Sequence, residues 1–154
     1  MKVAVYAGSF DPFTNGHLDI VKEAALLFDK VYVVIAHNSD KKRASDAQDM
    51  FDALIKVFKR EGLSNCFPVV WKDGLVADFC CAYGAQYLIR GLRNTSDYMY
   101  EENIAKINSE INPDLKTVYF RAKNDTISSS MVRELYKYGK SIDQYVPTEI
   151  VDLV

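Results

Sequence analysis

Apolar positions along the chain gather into five short runs rich in β-branched and aromatic residues: Val3 to Tyr6, Val31 to Ala36, Phe67 to Trp71, Tyr87 to Ile89 and Thr117 to Phe120. Their length and composition predict strands. Between them the apolar period lengthens to that of a helix. The first helical pattern runs from about Gly16 to Phe28, and the second carries Met50, Leu54, Val57 and Phe58. A third spans roughly Leu75 to Tyr83, a fourth about Asp97 to Ile111 before Pro113, and a fifth Ser129 to Tyr138 with Gly139 after it. Pro147 opens a short final helix.

Strand and helix alternating in this way predict βαβ units, hence a parallel sheet with helices on both faces. The strands read as nearly continuous apolar runs, as expected when both sheet faces are covered. At 154 residues without a repeat, a low-complexity stretch or a linker, the chain is expected to form a single domain, residues 1–154.

The break between the first strand and the first helix reads AGSFDPFTNGHL, Ala7 to Leu18. A strand end beside a helix amino terminus favours anions, through unpaired backbone N–H groups and the helix dipole. Gly8 permits close backbone approach and Pro12 fixes a bend. Thr14 and His17, three apart, are expected on one face of the first turn, converging on one phosphate. Three further strand ends carry polar groups, and a parallel sheet puts them on one edge. After the second strand come His37 and then, within the least patterned stretch, Asn38 to Asp46, Lys41, Lys42 and Arg43; the competing reading is a solvated basic loop. The run Ile89-Arg90-Gly91-Leu92-Arg93 follows the fourth strand and offers two permanently charged forks, unless both are used in ion pairs with Asp97 or Glu101. Thr126, Ile127, Ser128, Ser129 and Ser130 lead into the fifth helix, where a serine serves either as an N-cap or as part of an anion cradle, with Arg133 and Glu134 on the exposed side. Taken together the four predict one composite polyphosphate site.

Charge and composition narrow the partners. With 19 basic and 21 acidic side chains the formal net charge is −2, so no broad footprint for nucleic acid or an anionic membrane is expected. No apolar run approaches the roughly 20 residues that cross a bilayer, and the amino terminus does not read as a secretory signal; the expected location is cytoplasmic. Cys66, Cys80 and Cys81 have neither disulfide nor zinc spacing, and Cys80 and Cys81 are expected in the core. With His17 and His37 the only imidazoles, no protein-built metal site is expected. Tyr98 and Tyr100 are expected to serve helix packing or a subunit contact.

The motifs carry a resemblance. G-S-F-D-P-F-T-N-G-H resembles the T/H-x-G-H signature of the nucleotidyltransferase superfamily, and I-S-S-S-M-V-R-E its second, serine-rich motif. Within it, I-R-G-L-R with its D-Y-M-Y-E continuation and the Ser39-Asp40-Lys41-Lys42 loop resemble the bacterial phosphopantetheine adenylyltransferase family. The resemblance covers essentially the whole chain. It implies a doubly wound, Rossmann-like five-stranded α/β fold and transfer of AMP from ATP to phosphopantetheine, giving dephospho-coenzyme A and pyrophosphate. It also implies magnesium on the ATP phosphates, a hexamer, and feedback by coenzyme A.

Carried over by position, the resemblance implies catalytic roles for His17, Lys41 and Arg93. ATP would be met by Ser9, Phe10, His17, Gly91, Leu92, Arg93 and Glu101, and by the segment Thr126 to Ser130; the acceptor would be met by Ser9, Lys41, Val76, Arg90 and Asn108. Adenylylation of nicotinate mononucleotide or cytidylylation of glycerol phosphate are the nearest alternatives. A non-catalytic adenine-nucleotide-binding module is the remote one.

Overall fold

The computed structural model describes all of residues 1–154. Five strands, β1 (Val3–Gly8), β2 (Lys30–His37), β3 (Cys66–Lys72), β4 (Tyr87–Leu92) and β5 (Lys116–Arg121), form one parallel sheet in the order β3-β2-β1-β4-β5. Helices α1 (Asn15–Leu27), α2 (Ala47–Arg60), α3 (Val76–Ala82), α4 (Thr95–Ile111) and α5 (Ser129–Lys137) connect and flank them, and a 3-10 helix, Thr148–Leu153, follows Pro147. The expected doubly wound, Rossmann-like fold is therefore present.

Strand β1 is central, and its residues alternate between two cores as a pleated strand must. Ala4 and Tyr6 join the cluster built with α1, α2, Val132 of α5 and Ile150 of the 3-10 helix. Val3, Val5 and Ala7 join the smaller cluster with Ala77, Phe79 and Cys80 of α3. The chain builds outward from β1 on one side through β2 and β3, then returns to pair β4 against its other edge. That reversal opens a crevice beyond the carboxyl ends of β1 and β4, where open α/β sheets hold their ligands.

Three boundary or burial expectations are corrected. Strand β4 continues past Ile89 to Leu92, so Arg90 and Gly91 are strand residues paired with Tyr119 and Phe120. The charge of Arg90 is tolerated in the strand because the carboxylate of Glu101 accompanies it. Helix α4 starts at Thr95, because Asn94 caps it by accepting from the Asp97 N–H. The expected short helix after Pro147 is present, as a 3-10 helix. Cys81 is exposed while Cys80 is buried, since adjacent positions on a helix point about 100° apart.

Candidate functional site

The crevice has two compartments. The first, about 330 Å³, lies among the β1–α1 turn, the end of β4, the start of α4 and the start of α5. The second, about 940 Å³, lies among the β1–α1 turn, the β2–α2 loop and the β3–α3 turn. They share Ala7, Gly8, Ser9 and Arg90 as a common wall. A Cβ at Gly8 would sit 3.0 Å from the Phe10 ring, so any side chain there would push the buried ring by a few tenths of an ångström. Phe10 itself has φ of +45°, in the left-handed region that costs a side-chain-bearing residue about 1 kcal/mol. Its buried ring packs edge-on against Tyr6, Phe13 and His17, which fixes the turn from below.

His17 occupies the third position of α1, where a capping box normally carries Glu or Gln. The Thr14 N–H donates to its Nδ1 at 2.9 Å, while the Thr14 hydroxyl accepts from the His17 N–H at 3.3 Å. An amide can only donate, so Nδ1 is the acceptor and the ring proton of the neutral imidazole sits on Nε2. Burial among aromatic rings, helped by the nearby Arg93 cation, holds the His17 pKa down at about 4. A neutral imidazole with a fixed Nε2–H donor therefore faces the first compartment. Thr14 and His17 line the same compartment, as expected from their spacing. Thr14 is also fully buried, and its bonds to His17 orient the ring.

Both arginines of β4 and its end are engaged. Arg90 donates to both carboxylate oxygens of Glu101, at 2.6 and 2.8 Å, and to the Ala7 carbonyl at 3.3 Å. Burial opposes its charge, but the Glu101 carboxylate more than compensates and raises the Arg90 pKa. Arg93 pairs with Asp97 at 3.1 Å. The ion pairs weighed against ligand binding are thus both made, yet both guanidinium groups still line the first compartment.

The serine run divides its labour. Ser128 caps α5 by accepting from the Met131 N–H, as the bland alternative has it, while Ser129 donates to the Pro12 carbonyl at 2.7 Å and so ties α5 to the opening turn. Thr126 is exposed and hydrogen-bonded to Asn124, outside the compartment that Ile127, Ser128, Ser129 and Ser130 line.

Of the residues singled out in the sequence, the first compartment brings together Gly8, Ser9, Phe10, Thr14, His17, Arg90, Gly91, Arg93, Glu101 and Ile127 to Ser130. The second brings together Ser9, His37, Lys41, Lys42, Arg43, Val76 and Arg90. Lys41 is exposed on the β2–α2 loop and does not share a compartment with His17. Leu92, at the end of β4, and Asn108, half-buried on α4, line neither. Asp11, Asp97, Asn124 and Arg133 line the crevice without having been proposed as site residues. Arg133 is exposed, as its place on α5 suggested, but its guanidinium reaches the Asp11 carbonyl at 2.5 Å. Asp11 and Arg43 are the least foreseeable. The buried Asp11 carboxylate accepts from Ala44 N–H, Ser45 N–H and Ser45 Oγ, and Arg43 reaches back to the turn. These hydrogen bonds outweigh the effect of burial and keep the Asp11 pKa below its usual range.

The Cytidylyltransferase-like family model matches residues 5–135, from β1 into α5. A phosphopantetheine adenylyltransferase of Clostridium botulinum, strain Alaska E43, is 40% identical over 153 residues, covering 98% of this chain and 94% of the relative. One from Streptococcus pneumoniae, strain CGSP14, is 42% identical over 153 residues, covering 98% and 93%. Among solved structures, a Plasmodium falciparum nicotinic acid mononucleotide adenylyltransferase complexed with NaAD superposes with a TM-score of 0.72 at 17% identity, covering 99% of this chain and 93% of that one. At that identity the likeness is one of fold.

Proposed function

The chain belongs to the cytidylyltransferase-like nucleotidyltransferases and, among them, to the phosphopantetheine adenylyltransferases, and from that premise we propose how its crevice transfers AMP from ATP to phosphopantetheine. The products are dephospho-coenzyme A and pyrophosphate, a step of coenzyme A biosynthesis. The observation that carries the assignment of parts is the pair of compartments meeting at Gly8, Ser9 and Arg90, with a neutral imidazole donor on one side and the lysine-bearing loop on the other.

ATP occupies the first compartment and the acceptor the second, so that the acceptor phosphate meets the α-phosphorus near Ser9. An acceptor phosphate oxygen forms the new bond to phosphorus as the bond to the departing pyrophosphate breaks. The nucleophile is already ionised near neutral pH, and no side chain has to remove a proton. The enzyme's task is alignment of two polyanions and stabilisation of charge on the transferring group. His17 Nε2–H donates to the α-phosphate, Arg93 and the start of α5 meet the nucleotide, and Lys41, Val76 and Arg90 hold the acceptor. Glu101 acts by orienting Arg90. Magnesium travels on the ATP phosphates and neutralises part of their charge; the carboxylates of the first compartment, Asp97 and Glu101, are already engaged by arginines and are not free to ligate it.

Incubation with ATP or CTP and, in turn, phosphopantetheine, nicotinate mononucleotide or glycerol phosphate tests the reading. Pyrophosphate release with ATP and phosphopantetheine alone is expected. Preference for nicotinate mononucleotide or for CTP with glycerol phosphate would reassign the substrate, and ATP binding without acceptor-dependent pyrophosphate would make the chain a binding module.

A homo-oligomer, a hexamer by family likeness, is part of the proposal. Its support is α4, where Glu101 is the single buried residue and Tyr98, Met99, Tyr100, Ile107 and Ile111 are exposed. Sedimentation equilibrium reads the particle mass, and a monomer would remove this part. Feedback by coenzyme A would act through competition at both compartments. A cytoplasmic location accords with three free cysteines and with the lack of any helix long and apolar enough to cross a membrane.

A further inference from the structure

Arg43 belongs to a basic run that sequence reasoning reads as surface charge or phosphate contact, but its side chain is only 9% exposed. Its guanidinium donates to three backbone carbonyls: Ser9 at 2.5 Å, Phe10 at 3.3 Å and, from Nε, Ser45 at 2.9 Å. Asp11 lies 3.9 Å from it. The loop thus clasps the opening turn in both directions, since Asp11 receives the Ala44 and Ser45 amides while Arg43 donates to the Ser9 and Phe10 carbonyls.

The consequence lies on the far side of the peptide. In a trans peptide the C=O and N–H point in opposite directions, and the Ser9-Phe10 bond is trans. Arg43 lines the second compartment and holds the Ser9 oxygen from there, so the Phe10 N–H points the other way, toward the first compartment that Phe10 lines. Neither the Ser9 nor the Phe10 N–H has a partner within the chain. A left-handed residue next to free amides is an arrangement suited to an anion, and here an arginine holds it from behind.

We propose that Arg43 is a positioning residue for AMP transfer: gripping the Ser9 and Phe10 carbonyls, it aims the Phe10 amide at the transferring phosphoryl group and couples that aim to the placement of the Lys41 loop. The proposal rests on the functional reading above. Arg43 touches no reactant; it acts through the turn.

The test compares wild type, Arg43→Met and Arg43→Lys for kcat, both Michaelis constants, ATP affinity by calorimetry, and Tm. For Arg43→Met, kcat is expected to fall at least about tenfold while ATP affinity stays within about threefold, the pattern of a contact stronger in the transition state than in the ground state. Arg43→Lys keeps the charge but not the planar fork, and is expected to recover part of kcat. A folded Arg43→Met protein with kcat within about twofold of wild type and only a lowered Tm would make Arg43 a stability clamp and overturn the proposal. Should Arg43→Met fail to fold, Arg43→Lys decides: kcat several-fold low supports positioning, and wild-type kcat overturns it. A wild-type protein that releases no pyrophosphate with phosphopantetheine would instead overturn the functional reading, and this proposal with it.

Discussion

His17 is useful because it is neutral. A charged imidazole would need a second donor bond at Nδ1, but that nitrogen already accepts from the Thr14 amide. Protonation therefore breaks a capping interaction as well as placing charge among aromatic rings. Removing one donor of this kind costs about 2.7 to 4 kcal/mol of transition-state stabilisation, so His17→Ala is expected to lower kcat by about a hundredfold or more with ATP affinity largely kept. Unchanged turnover would take His17 out of the chemistry. The pH behaviour has a definite sign. With the folded pKa near 4 and the ordinary value 6.5, the unfolded chain binds more protons between those limits, so His17 withdraws stability as pH falls through that window. Nitrogen NMR of the ring is expected to show the Nε2–H tautomer at pH 7 and no titration above pH 5; a midpoint near 6.5 would contradict the buried, amide-bound geometry.

At the scale of elements, the strands were legible because the sheet is covered on both sides, which makes the middle of each strand a short apolar run. The start of α5 was legible in its serine run, which Ser128 caps, whereas the equally short Asn94 at the start of α4 carried no such signal. Partners remote along the chain were not. The end of β4 depends on Glu101, 11 residues beyond Arg90, and the clasp joins Arg43 to Ser9 across 34. Local periodicity carries no signal for either. The Arg90–Glu101 pair makes a testable link between α4 and the sheet. Glu101→Ala leaves a guanidinium uncompensated in a half-buried strand, and a loss of about 2 to 3 kcal/mol is expected, less than for a fully buried pair because Arg90 keeps some contact with water. Thermal unfolding reads it as a fall in Tm of about 5 to 10 °C. The β2–α2 loop is expected to matter for one substrate only. Lys41→Ala should raise the acceptor Michaelis constant by about tenfold and leave that for ATP within about twofold. Equal effects on both would move Lys41 out of the second compartment's role.

Over the whole molecule, the four strand ends singled out in the sequence do converge, and parallel pairing alone accounts for it. The division of that edge into two chambers was not legible, because it follows from the strand order, with β4 returning to the free edge of β1. The order also decides which loops become neighbours: the β1–α1 turn touches both chambers because β1 is central.

The crevice carries less positive charge than its role suggests. Arg90, Arg93, Lys41, Lys42, Arg43 and Arg133 face Asp11, Asp40, Asp73, Asp97 and Glu101, a surplus of one cation, and three of those arginines already have carboxylate partners. Anionic reactants are thus received by an anionic protein with little long-range attraction, and recognition falls to oriented neutral dipoles that act at contact. Ionic strength should therefore have little purchase: raising it from about 0.05 to 0.2 M is expected to shift either Michaelis constant by no more than about threefold, whereas capture by a basic surface would weaken steeply over the same range.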